Sequence, residues 1–489
     1  MRASLLPPLF LLQILHDGES LHFLGYFPVF ARSHVTFLSK LTDSLTDAGH
    51  NVTLIAPIIE SSMLKDVHKT KAKIIAIPQC KEAAEFDSTT YEAMRANFWR
   101  SQSIVDFFRQ MQEIFAIWQL QCDATLSQAG LIEALKLEHF DAAFSEPMDP
   151  CGFAIFHQLG LEKTAVVLSV SVIDGFYSMT GAPATPSYVP GVSANFGDRM
   201  TFFERDLLNN ASLVFSNFQP LIDFPRVTTH KVIDIGGITV SQGSKKAVGL
   251  NQTWSDILSR RKQNVLLSFG SVAQSCLMPP EYKETIRETF RSFPDVTFIW
   301  KYECPEDKIS HGIDNVFEST WVPQVELLND PRLDLFITHC GIASTIESTT
   351  SGVPLIVIPV MADQPRNAQV VKHAGTGIVI SKDDLAGGDA LAQALNEVLG
   401  NQRYKDNAVR IGRMLKDAPF TPRDLFVRNM EFLAKHGPLR QFDHYGGHLN
   451  FFQYYLIDVI AFLVLVVTVV VFVLFLIGRA IMRKLFCAA

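Results

Sequence analysis

The chain contains 489 residues, of which 48% are hydrophobic and 19% charged, and its formal net charge is -7 at pH 7. That length accommodates two or three domains with full cores, and that apolar share rules out a disordered polymer. The acidic balance, with no long basic run, argues against nucleic acid as the partner.

Arg2, the apolar run Leu5 to Leu15 and the small residues Gly18 and Ser20 read as a signal peptide over 1–20. "LHFLGYFPVF" from Leu21 reads as a strand. Ser33 and His34 then open a helical stripe of Leu38, Leu41, Leu45 and Ala48, closed by Gly49, and "NVTLIAP" reads as the next strand. That order starts a parallel, doubly wound sheet. Further on, "FDAAFSEPMDPCG" reads as a strand end carrying Glu146 and Asp149. The pattern restarts near Asn264 with "NVLLSFGS", after a break rich in Gly, Ser and Thr around "GGITVSQGSKKAVGLNQT". "VTFIWKYE", "LDLFITHC", "VPLIVIP" and "TGIVI" then alternate with helical stretches. The expected architecture is α/β, with two tandem doubly wound (Rossmann-like) domains over 21–245 and 246–440. A cleft between them faces the carboxyl ends of the strands.

A juxtamembrane segment, 441–458, leads to Val459–Ile477, an uncharged run long enough to cross about 30 Å of hydrocarbon. Arg479, Arg483 and Lys484 follow in the tail 478–489, so the positive-inside rule makes that tail cytoplasmic and places the body on the other side. The chain reads as a single-pass type I membrane protein. Sequons at Asn51, Asn210 and Asn251 suit such a body, although Asn51 leads into a strand. The 7 cysteines show no metal-ligand spacing; they leave room for one or two disulfides and assign none.

"LFITHCGIASTIES", Leu335 to Ser348, is a strand that runs straight into His339, Cys340 and Gly341 before a helix opens. A helix N-terminus at a strand's carboxyl end offers unpaired N–H groups and a positive dipole, which suits an anion such as phosphate. His339 adds a donor, Gly341 lets a ligand approach the backbone, and Glu347 can accept from a sugar hydroxyl. Read with Trp321 and Gln324 upstream and Asp363-Gln364 downstream, the segment resembles the signature of the UDP-glycosyltransferases: W-x-x-Q, T-H-x-G, a helix Glu, G-x-P and D-Q. The resemblance extends through "FGDRMTFFERDLLN", "DFPR", "DIGGI" and "LNFFQYYLIDVI", and comes nearest to the membrane-bound UDP-glucuronosyltransferase group of animals, in an invertebrate branch.

The resemblance implies the GT-B fold, with the acceptor on the first domain and the UDP-sugar on the second. Trp321 would stack on uracil with Gln324 beside it, and Glu347 would take the ribose hydroxyls. Ser268, Ser271, His339 and Gly341 would meet the phosphates, and Asp363 with Gln364 the sugar. His34 would be the general base of an inverting transfer. A helix N-terminus disfavours imidazolium, which predicts a neutral ring. Glu146 falls where the family usually has Asp, with Asp149 as an alternative partner for His34.

No metal and no permanently bound cofactor are implied; the co-substrate would be UDP-glucuronate or UDP-glucose. The acceptor would be a small lipophilic molecule, met by the irregular, aromatic region Lys65 to Ile132. The resemblance also implies endoplasmic-reticulum residence with a role in detoxification, and leaves homo-oligomerisation open. Two departures set a competing expectation. Glu146 is one methylene longer than Asp, and Ala343 stands where many relatives have Asn, so the alternative is a catalytically inactive, membrane-anchored binding protein for UDP-sugars or small lipophiles.

Overall fold

The computed structural model describes residues 20–100, 104–170, 211–225, 228–240, 249–443, 450–454 and 456–487. The expected signal peptide, the sequon at Asn210, "FGDRMTFFERDLLN" and the Gly/Ser-rich break at 241–248 lie outside them.

Among the described residues the first unit is a seven-stranded sheet, ordered β3-β2-β1-β4-β5-β6-β7. Its strands are β1 (His22–Tyr26), β2 (Asn51–Pro57), β3 (Lys73–Ile77), β4 (Ala142–Ser145), β5 (Thr164–Leu168), β6 (Leu213–Ser216) and β7 (Val232–Asp234). All neighbours are parallel. A parallel sheet covered on both faces needs near-continuous apolar strands, and "TAVVL" and "LVFS" are buried throughout. The helix Arg32–Asp47 returns the chain from β1 to β2, burying Val35, Phe37, Leu38, Leu41 and Leu45 against the sheet.

The second unit repeats the plan with six parallel strands, ordered β10-β9-β8-β11-β12-β13. These are β8 (Gln263–Ser268), β9 (Val296–Lys301), β10 (Val316–Ser319), β11 (Leu335–Thr338), β12 (Leu355–Val357) and β13 (Gly377–Val379). The helix Pro422–His436 follows this unit in sequence, yet Phe426, Val427, Met430 and Leu433 are buried in the core of the first sheet. The chain therefore crosses between the units a second time. A buried ion pair adds to the junction, with Arg366 Nη1 and Nη2 donating to the two carboxylate oxygens of Asp223 at 2.8 and 2.5 Å.

Disulfides join Cys122 to Cys151 and Cys276 to Cys304, while Cys80 and Cys340 are free. At the end of the chain the helix Ile457–Cys487 contains a 27-residue stretch, Ile457–Arg483, within which an 18-residue window has a mean hydropathy of 3.5 and is not buried. Such a helix fits a membrane anchor.

Candidate active site

Each sheet reverses its strand order once near its middle, and both reversals carry expected site residues. In the first sheet the reversal lies between β1 and β4. Beyond β1, Ala31 adopts φ 46° as the cap of Arg32–Asp47, which puts His34 in the first helical turn. Beyond β4 stands Glu146. His34 Nδ1 and Glu146 Oε2 are 2.8 Å apart, with the carboxylate buried and the imidazole side chain 12% exposed. The extra methylene of Glu146 therefore does not prevent the contact.

Glu146 is braced by a residue that sequence reasoning missed. Ser169, just past β5, gives its backbone N–H (3.0 Å) and its hydroxyl (2.5 Å) to Glu146 Oε1, and its Oγ lies 2.8 Å from His34 Nδ1. Its position at the carboxyl end of the strand beside β4 is the signal that could have found it. Asn217 Nδ2 in turn donates to the Ser169 carbonyl at 2.9 Å. Asp149 is committed elsewhere, accepting from Tyr26 Oη at 2.7 Å and from the Cys151 N–H at 2.9 Å. Of the two carboxylates weighed from sequence, Glu146 is the one at His34.

The direction of the His34 pKa differs from the sequence expectation. Burial lowers the His34 pKa, but the Glu146 carboxylate outweighs it, Asp363 adds to the effect, and the net direction is upward. Burial likewise raises Glu146, and His34 with Ser169 brings it net below its ordinary value. A carboxylate in direct contact works against the helix N-terminus, which was expected to keep the ring neutral. Among the described residues, His34 Nε2 carries no hydrogen bond, so one ring nitrogen is oriented by the carboxylate and the other is left for a proton. Phe30 lies 4.8 Å from the His34 ring and 4.6 Å from Trp118, centroid to centroid, and makes an apolar wall beside it.

In the second sheet the reversal lies between β8 and β11, whose carboxyl ends carry Ser268 and His339. Ser268 Oγ accepts weakly from the Gly270 N–H at 3.4 Å, and Ser271 follows in the same turn. Gly270 has φ +78°, and a Cβ there would fall 2.8 Å from the His339 ring; at Gly341 it would fall 2.7 Å from His339 Nε2. Both glycines make room for this imidazole. Burial and the nearby Lys301 push His339 down to about 4, so it is neutral at ordinary pH.

Cys340 takes φ 69° and Ala362 φ 53°, so two non-glycine residues bend sharply at the turns that face this end of the sheet. Asn367, also missed from sequence, ties the two turns together by donating to the Cys340 carbonyl at 3.0 Å and to Asp363 Oδ2 at 2.7 Å. Burial raises the Asp363 pKa. Gln364 turns its side-chain oxygen to the Val360 and Met361 N–H groups at 2.8 and 3.0 Å, which commits that oxygen to the turn.

Gln324 Nε2 donates to Glu347 Oε2 at 2.8 Å and to Ser344 Oγ at 3.1 Å. Burial pushes Glu347 up to about 7. Trp321 is 57% exposed, with the Arg32 guanidinium 5.1 Å from its ring centroid. That contact joins a residue two positions from His34 to the second unit. Among the described residues, no group of three or more His, Cys, Asp or Glu is arranged to hold a metal.

Comparison with known proteins agrees with this fold. The family model for UDP-glucoronosyl and UDP-glucosyl transferase matches residues 27–220 and 206–488. A Caenorhabditis elegans protein named as a UDP-glucuronosyltransferase, ugt-48, is 26% identical over 487 residues, covering 89% of this chain and 90% of its own. Rat UDP-glucuronosyltransferase 1A8 is 26% identical over 486 residues, covering 91% and 88%. Among solved structures, a UDP-glucosyltransferase from Polygonum tinctorium superposes with TM-score 0.61 at 15% identity, covering 86% of this chain and 99% of that one. A UDP-glucose:anthocyanidin 3-O-glucosyltransferase superposes with TM-score 0.62 at 15% identity, covering 85% and 99%. The paired parallel sheets are those of the GT-B glycosyltransferases.

Proposed function

We propose that this chain, which belongs to the UDP-glucuronosyl and UDP-glucosyl transferase family, moves glucuronate or glucose from a UDP-sugar to a hydroxyl of a small lipophilic acceptor, with inversion and with His34 as general base. A UDP-glycosyltransferase needs an oriented base on one unit and a nucleotide site on the other. The observation that carries the reading is the 2.8 Å contact of His34 Nδ1 with a buried, Ser169-braced Glu146. Glu146 fixes the ring and stabilises the imidazolium that forms as Nε2 takes the acceptor proton. The acceptor oxygen bonds to the anomeric carbon as the bond to the diphosphate breaks.

The leaving diphosphate would meet Ser268, Ser271, neutral His339 and the N–H groups that open the helix Ile342–Ser351. Trp321, with Gln324 and Glu347 behind it, would take the uridine, and Asp363 with Gln364 would line the sugar. The inactive-binder alternative rested partly on Glu146, and the contact it makes removes that support. A UDP-release assay with UDP-glucuronate, UDP-glucose and a panel of phenols and alcohols tests the function. Release with either donor that depends on an acceptor is the expected result; UDP binding without release from any donor would favour the binding protein.

Membrane topology gives a second test. The helix Ile457–Cys487 would span the bilayer with its basic end cytoplasmic and the two units lumenal, a compartment that suits the two disulfides. Asn251 caps a helix at an exposed position and is available to a glycan. Protease added to sealed microsomes should clip only the tail beyond the span, and endoglycosidase should shift the mobility of the wild type. Digestion of the body in intact vesicles would reverse the orientation.

A further inference from the structure

We propose that Trp99 is a positioning residue for the sugar-donor turn, carried there by a corner of the first unit that reaches into the second; the inference rests on the donor reading above. The helix Tyr91–Asn97 belongs to the first unit by chain order. Met94, Phe98 and Trp99 are nonetheless buried in the core of the second, beside Val265 and Leu267 of β8. Trp99 is fully buried, and its Nε1 donates to the Gln274 carbonyl at 3.0 Å. Its ring meets Phe269 edge-on, with centroids 5.0 Å apart and planes at 83°. Phe269 stands between Ser268 and Gly270. Both Trp99 contacts therefore act on the turn that carries Ser268 and Ser271.

The same turn is held from within its own unit. Lys301 Nζ donates to the Gly270 carbonyl at 2.6 Å, and Glu303 accepts from the Ser275 N–H at 2.8 Å. The first unit thus supplies a third restraint, at Gln274. The corner also reaches the other donor-side turn. Lys382 Nζ donates to the Phe98 carbonyl at 2.7 Å, to the Arg100 carbonyl at 3.0 Å and, at 3.4 Å, to the carbonyl of Val360, which leads to Asp363.

Residues 98–100 are therefore tied both to the turn expected to meet the phosphates and to the turn expected to meet the sugar. A buried indole needs a partner for its N–H, and here that partner is the backbone of the phosphate turn. A displacement of that turn by about 1 Å is enough to misalign a reacting group. Donor binding then depends on a residue of the acceptor-side unit through the turn it braces.

Two variants test this in the detergent-solubilised full-length protein. Trp99→Phe keeps an aromatic edge against Phe269 and deletes the N–H to Gln274. Lys382→Met keeps an aliphatic stem and deletes the carbonyl contacts. Each should weaken UDP binding, measured by calorimetry, about 3- to 10-fold, the scale of one buried hydrogen bond. The donor KM should rise by a similar factor, while the acceptor KM and the pH profile of transfer stay at their wild-type values.

A merely structural role would lower Tm and leave the UDP affinity of the folded protein unchanged. Equal affinity in wild type and Trp99→Phe overturns the proposal, as does a parallel loss of donor and acceptor affinity. Should Trp99→Phe not fold, Lys382→Met decides by the same readings. If the wild type itself bound no UDP, the donor reading would fall and this inference with it; an unchanged Trp99→Phe overturns this inference alone.

Discussion

Replacing His34 with alanine should slow sugar transfer to phenols and alcohols by about 10²- to 10⁴-fold, the usual worth of a general base, when chemistry limits the rate. UDP affinity, measured above the His34 inflection where the ring is neutral, should change little, because the proposed nucleotide contacts lie on the second unit. The pH dependence carries the sharper signature. As the proposed general base His34 would act in its free form, and its pKa is raised by Glu146, so kcat/KM should rise with pH through an inflection above the ordinary histidine value and be lost as pH falls through it. Glu146→Gln removes the charge and keeps the shape. Its inflection should move to lower pH while the plateau rate drops, because the imidazolium loses its counter-charge. Asp149→Asn should leave the profile in place, since Asp149 is held by Tyr26 and the Cys151 N–H. A His34→Ala enzyme with near-normal turnover on a phenol of ordinary acidity would end this mechanism.

Much of this arrangement could be read from local pattern. Apolar runs such as "NVLLSFGS" and "LDLFITHC", each closed by small or polar residues, marked strands that end at a cleft, and the observed β8 and β11 flank the sheet's reversal point. His34 and Glu146 were legible because one opens the helix after β1 and the other follows β4 directly. Ser169 was not. It sits 135 positions from His34, at the end of an ordinary-looking buried strand, and only the pairing of β4 with β5 brings it to the carboxylate.

Asn367 and Lys301 escaped for the same reason, since both act on backbone carbonyls of distant turns and a carbonyl leaves no mark in a sequence. The return of Pro422–His436 to the first sheet was equally hidden. Its apolar stripe states that one face is buried, not against which sheet. The direction of the His34 pKa was not legible because a helix terminus, worth about 0.3–1 kcal/mol when exposed, was set against nothing. The carboxylate at 2.8 Å is the larger influence.

Glu347→Gln should weaken binding of a UDP-sugar by about 1–3 kcal/mol at pH 8, roughly 5- to 150-fold, the range for losing a charge-assisted hydrogen bond at a buried site. The ribose diol offers two donors. A carboxylate accepts both while keeping the Gln324 amide on its other lone pairs. Burial places the Glu347 pKa at about 7, so the group is ionised above that pH and neutral below it.

The sign follows from that. Affinity should be full at pH 8 and fall as pH drops through 7, because the protonated acid is a poorer acceptor for hydroxyls. His339 is already neutral at both pH values and contributes no slope. His34 gains positive charge as pH falls, which would strengthen diphosphate binding and oppose the trend. A UDP-sugar is a better probe than UDP, because it has no terminal phosphate titrating in this range. In Glu347→Gln the fall between pH 8 and 6 should vanish, leaving only the opposing contribution of His34. Calorimetric titration of both proteins at the two pH values separates these effects. A variant that keeps the wild-type slope would mean that the carboxylate does not face the ribose and that the nucleotide lies elsewhere on the second unit.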